Sequence, residues 1–225
     1  MNSALTFDTV NFDTEKITKI SYSRKSQNSG QENNPNYCIL KYKSCEPDDA
    51  ETSLYRSLVL NENGDKVLSV APPNGLTLEK FKEKYENIRD ENITISQIVE
   101  GTMINLFYDS DHEQWEIATR GAVGGDYWFY RVNYNTDDKS QLTFRQMFLE
   151  ALGDSATSDL NDNMYLSELP KDHCYSFVLQ HPHNHIVYPV EKPTVYLVSV
   201  YKTSNDQTAQ YIPLQSVMQW GVLQN

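Results

Sequence analysis

Apolar and polar positions change period several times along the chain. Residues 1–20 alternate, with Phe7, Val10, Phe12, Ile17 and Ile20 as the apolar set, and this period of two predicts strands or an extended arm. Residues 21–35 are rich in Ser, Asn, Gln and Gly and read as a loop. The run 37–42 (YCILKY) predicts a short strand, and 55–60 and 66–70 predict two more around the turn Asn61-Glu62-Asn63-Gly64, where Gly64 supplies a positive φ. Leu78, Phe81 and Tyr85 form one apolar stripe and predict a helix over 76–88, with Thr77 as its N-cap. Strands follow at 93–98 and 102–108, split at Gly101, with a turn at 109–114 and a return strand at 115–119. A glycine-rich bend at 121–125 leads to an aromatic segment at 127–134. A second amphipathic helix covers 143–152 and is ended by Gly153. A polar connector (155–163), a short turn (166–169) and two strongly β runs (175–180 and 195–201) come next, and the tail 211–220 reads as a short helix entered through Pro213. The sum is a sheet-rich α+β chain, one domain over 1–225 in which 1–50 is an N-terminal extension.

Charge narrows the function. The formal net charge of −12 excludes a general DNA-coating protein, since binding to phosphate backbones is driven by clustered Lys and Arg. A local basic site inside an acidic chain stays open. Cys38, Cys45 and Cys174 have no paired metal spacing and read as free thiols in a reducing compartment. The N-terminus has neither the basic start nor the apolar run of a secretory signal, and no apolar run approaches membrane-spanning length. The expected location is therefore the cytoplasm, of a cell or of an infected host.

Four segments carry candidate chemistry. In the first, Arg56 opens the hairpin at 55–70, where a guanidinium can fork onto phosphate oxygens. In the second, Ile98-Val99-Glu100-Gly101 precedes a strand, with Glu100 as an acidic group and Gly101 as a backbone bend. In the third, Thr119-Arg120-Gly121 leads into the bend at 121–125, whose backbone N–H groups suit anions. The fourth is 174–187, which contains His181, His183 and His185. Alternate histidines on a strand share one face and can bind a metal, but Pro182 and Asn184 between them argue for a turn instead. Tyr127 and Trp128 can stack nucleic-acid bases, although aromatics in such runs more often fill cores.

Together these segments resemble the phage-type RNA ligase 1 family of covalent nucleotidyltransferases, over roughly residues 50–200. The resemblance implies an antiparallel, sheet-rich nucleotidyltransferase core, the ATP-grasp-like adenylation core of ligases, with ATP or another nucleotide and Mg²⁺ as cofactors. It implies nucleotide or phosphate contacts from Arg56, Glu100, Gly101 and Arg120. It also exposes departures. The family carries a nucleophilic lysine three residues before the motif glycine, and that position is Ile98 here, which has no lone pair. The family glutamate that contacts ribose falls on Val178, and no lysine follows Lys202, so the terminal Lys-x-Lys motif is missing.

The expectation is a degenerate, C-terminally truncated ligase-like domain, a pseudoenzyme that binds a nucleotide or RNA end without catalysis. An active ligase using a non-standard nucleophile and a protein-interaction module stay open as alternatives. No residue is nominated as catalytic or as a metal ligand. The expected partners are a nucleotide or RNA end, with a protein partner left open, no membrane and no strong general DNA binding.

Overall fold

The computed structural model describes residues 4–24, 35–46, 49–85, 96–127, 142–184, 189–218 and 220. Its ten strands are β1 (Leu5–Thr6), β2 (Ile17–Ser23), β3 (Asn36–Tyr42), β4 (Leu58–Asn61), β5 (Val67–Val70), β6 (Thr102–Asp109), β7 (Gln114–Ala118), β8 (His173–Gln180), β9 (Thr194–Thr203) and β10 (Thr208–Ile212). The helices are short: α1 (Ala50–Ser53), α2 (Leu78–Lys84), α3 (Phe144–Ala151), α4 (Met164–Ser167) and α5 (Leu214–Val217), with a 3-10 turn at Leu160–Asp162. Every strand pairing is antiparallel. The large sheet runs β1-β10-β9-β8-β6-β7, and the small sheet is the meander β2-β3-β4-β5.

The layers follow from the alternation of side chains along β6. Ile104 and Leu106 face one core, which they share with Phe144, Phe148 and Val217 from the helices. Phe107 faces the other core, with Leu40, Leu58 and Leu60 of the small sheet. The large sheet is therefore covered on both faces, by helices on one and by the small sheet on the other. This explains why its central strands read as nearly continuous apolar runs. The sheets meet where β5 lies over β6, β8 and β9, and the Val70 N–H donates to Cys174 Sγ at 3.3 Å across that junction.

Helix α3 sits where its sequence places it. Thr143 and Gln146 form a reciprocal capping box, and Phe144, Met147 and Phe148 pack on the large sheet. Leu149 is buried too, and the one charged inward residue, Arg145, is 5 % exposed. It donates to Glu116 Oε1 at 2.7 Å, and Arg24 pairs with the other oxygen of the same carboxylate. Burial and the neighbouring Arg145 pull the Arg24 guanidinium down to about 10. One fully buried acid thus ties the end of β2 to β7 and α3.

The structure departs from the expected elements at several points. Strand β2 runs on to Ser23 instead of yielding to a loop at 21. Residues 55–57 precede β4 as a turn, because α1, capped by Asp49, ends immediately upstream. The α2 stripe does not pack: no residue of that helix is buried, and Leu78 is 62 % exposed. Residues 96–100 are irregular instead of closing a strand. The polar connector holds the 3-10 turn, and the expected turn at 166–169 overlaps α4. The tail contributes β10 before α5. The aromatic segment from Trp128 onward and His185 lie outside the described residues.

Candidate functional site

A cleft of about 520 Å³ opens along the seam between the two sheets. One wall comes from the small sheet: Lys41 near the end of β3, Arg56 and Ser57 before β4, and Ala71 after β5. The opposite wall is Thr102, Met103 and Asn105 of β6 together with Thr119–Ala122 after β7, while Tyr127 and Phe144 supply an aromatic side. Its size lies in the range of small-ligand sites.

The walls are stitched to each other. Ser57 Oγ donates to the Thr119 carbonyl at 3.3 Å. Arg120 lays its guanidinium 4.5 Å over the Tyr42 ring and donates from Nη2 to the Tyr42 carbonyl at 3.0 Å. Tyr42 in turn donates from its hydroxyl to Asn74 Oδ1 at 3.1 Å. Residues 119–122 form a tight turn closed by Thr119 N–H to the Ala122 carbonyl (2.9 Å), and this turn carries Arg120 to the cleft. On the aromatic side the Tyr127 hydroxyl pairs with Thr119 Oγ1, its ring meets Phe144 edge-on at 5.3 Å, and burial pushes its phenol up. Asn105 is 1 % exposed and accepts from Ser176 Oγ at 2.8 Å, which anchors it in the cleft wall.

The charge of the cleft is one-sided. Lys41 and Arg56 make no hydrogen bond or ion pair with any described residue, and Arg120 touches only Tyr42 among them. No carboxylate stands among the described lining residues. Three cations without counter-ions among the described residues give the cleft a local positive charge in a chain whose net charge is −12.

The expected site residues divide accordingly. Arg56 and Arg120 come from sequence positions 64 apart and meet in one cleft. Glu100 and Gly101 do not line it. The Glu100 carbonyl accepts from Gln180 Nε2 at 2.8 Å, and a Cβ at Gly101 (φ +155) would stand 2.4 Å from the Leu179 carbonyl oxygen, so this glycine permits the close approach of β6 to β8. Ile98, which the resemblance sets at a ligase's lysine position, is 93 % exposed and off the lining, and Val178 is buried on β8. Tyr127 lines the cleft, and Trp128 is outside the described residues. Within the bend at 121–125, Gly121 and Ala122 line the cleft, while Gly124 and Gly125 are packed. The Gly124 N–H is bonded to the Ile117 carbonyl (2.7 Å), and a Cβ at Gly125 (φ +68) would meet Ile117 and the Arg145 nitrogen. Lys41 is not singled out by the sequence. Its only signal there is being the one charged residue in the run 37–42.

A divalent cation of the kind the ligase resemblance implies does not fit this donor set. Mg²⁺ is bound through one or two carboxylates together with substrate phosphates, and the described lining offers ammonium, guanidinium, hydroxyl and amide groups. Among the described residues no cluster of three His, Cys, Asp or Glu side chains can hold a metal ion. His181 has both ring nitrogens engaged, Nε2 with Glu150 at 2.9 Å and Nδ1 with the His183 N–H at 3.1 Å. No described helix is long and apolar enough to cross a membrane.

No family model matches the chain. A curated RNA ligase of Rhodothermus phage RM378 is 28 % identical over 102 residues, a match that covers 45 % of this chain and 21 % of that protein. The similarity supports a distant relationship to an RNA ligase, and the matched segment spans about a fifth of that relative's length.

Proposed function

We propose that the protein binds the phosphate-bearing part of a nucleotide or of an RNA end in the intersheet cleft, on a ligase-like nucleotidyltransferase scaffold, without forming an adenylate at Ile98. The observation that carries this reading is the convergence of Lys41, Arg56 and Arg120 on one cleft with no carboxylate among the described lining residues. Guanidinium and ammonium groups match phosphate oxygens in charge and hydrogen-bond geometry. Tyr127 and Phe144 add an aromatic side suited to a base or ribose. The similarity to a phage RNA ligase favours a nucleotide or RNA end over other anions. At the ligase lysine position, an exposed isoleucine off the cleft lining provides no amine to attack phosphorus.

Thermal shift with nucleoside mono- and triphosphates and with 5′-phosphorylated and 5′-hydroxyl oligoribonucleotides tests the binding. Stabilisation by phosphorylated ligands, reduced in Arg56→Ala and in Arg120→Ala, is expected, because a ligand stabilises in proportion to its occupancy. No shift with any of them would leave the cleft without this role. Incubation with α-labelled ATP, with and without Mg²⁺, should give no label that survives denaturation, and a stable protein-bound label would overturn the non-catalytic part of the reading.

A further inference from the structure

We infer that the cleft takes a nucleoside polyphosphate without a divalent cation, the Lys41 ammonium standing where a metal would neutralise the phosphate chain. The inference rests on the nucleotide-binding reading of the cleft and deepens it.

Lys41 is the only lysine of the described lining, and its ammonium has no partner among the described residues. The place it occupies is set by the opposite wall: a Cβ at Gly121 would lie 2.7 Å from Lys41 Nζ, so the missing side chain at 121 leaves room for the amine beside the turn that carries Arg120. The end of the small sheet brings the lysine and Arg56 to the same cleft. Leu40 pairs with Leu58 as the last pair of the β3–β4 ladder, so Lys41 and Ser57, the residue next to Arg56, both lie just beyond its end.

Two arginines and one lysine supply three positive charges to one cleft of about 520 Å³. An internal phosphodiester carries one negative charge and leaves such a cluster mostly uncompensated. A di- or triphosphate carries roughly three to four, and its usual companion Mg²⁺ needs carboxylate oxygens that the described lining lacks. A metal added to three fixed cations raises the positive charge beyond what the phosphates neutralise. The charge count therefore favours the metal-free nucleotide.

Isothermal titration with ATP, GTP, CTP and UTP and their monophosphates, in EDTA and in excess Mg²⁺, tests this. At least one triphosphate is expected to bind in EDTA no more weakly than in Mg²⁺, and more tightly than its monophosphate. Lys41→Ala should weaken the triphosphate about tenfold or more and the monophosphate much less, with Lys41→Arg retaining most of the affinity. Since the Lys41 ammonium makes no described contact, both variants should melt like the wild type, and Lys41→Gln serves if the alanine variant does not fold. Binding that requires Mg²⁺, or triphosphate affinity untouched in the alanine and glutamine variants, would overturn the inference while leaving the cleft a nucleotide site. Absence of binding by every nucleotide in both buffers would instead sink the underlying reading.

Discussion

Lys41 and Gly121 face each other across the cleft, the ammonium of one filling the space that a side chain on the other would take: a Cβ at 121 would lie 2.7 Å from Lys41 Nζ. The collision is with the far end of a flexible chain and not with backbone. Gly121→Ala should therefore cost little stability, about 0.5 kcal/mol or less as for ordinary surface changes. It should nevertheless displace the amine and shrink the thermal shift produced by ATP. An unchanged ATP shift would show that the position of the amine does not matter.

Gly101 makes the opposite prediction. There the obstacle is the Leu179 carbonyl oxygen, which would lie 2.4 Å from an added Cβ, and the backbone stands at φ +155. Neither can yield without separating β6 from β8. Gly101→Ala should lower unfolding free energy by about 1–3 kcal/mol, measured by urea denaturation, and should affect ligand binding only through that loss.

Glu116 holds two buried guanidiniums at once, those of Arg24 and Arg145, and is itself fully buried. Removing its charge leaves two like charges close together without their common partner. Glu116→Gln should destabilise the fold by about 3–5 kcal/mol, as expected when one member of a buried ionic group is lost. Denaturant midpoints of Glu116→Gln and of Arg145→Met, compared singly and combined, measure it. A loss of less than about 1 kcal/mol for Glu116→Gln would mean that the triad is relaxed by water.

His181 gives the fold a pH dependence. Burial lowers its pKa below the usual 6.5 despite the opposing Glu150 carboxylate, and its Nδ1 accepts from the His183 N–H, so the ring is neutral with its proton on Nε2. The unfolded chain binds a proton more readily than the folded one. The contribution is therefore complete above pH 6.5 and is lost as pH falls from there through the lower folded value. The melting temperature should fall between about pH 7 and pH 5.5, above the main carboxylate range, and His181→Gln should flatten that slope.

Local order was largely legible in the chain. The hairpin around Gly64, the strand 102–108, the return strand and the helix at 143–152 all follow from periodicity, turn chemistry and a terminating glycine, which act over a few residues. Arg56 and Arg120 could be nominated because their neighbours form recognisable patterns, and both reach the cleft. Glu100-Gly101 fits a motif pattern in the same way, yet the fold uses Gly101 to let two strands approach. The pattern cannot distinguish a glycine required by a ligand from one required by a neighbouring carbonyl.

By itself the sequence determined an antiparallel-prone, sheet-rich α+β chain with an acidic net charge, because these properties depend on residue type and short-range spacing. Tertiary structure alone decided that Lys41, Arg56 and Arg120 share one cleft and that no carboxylate accompanies them among the described lining residues. It also decided that one glutamate deep in the core is held by two arginines from distant segments. Those relationships come from packing the small sheet on the large one, which brings together side chains that no local period relates.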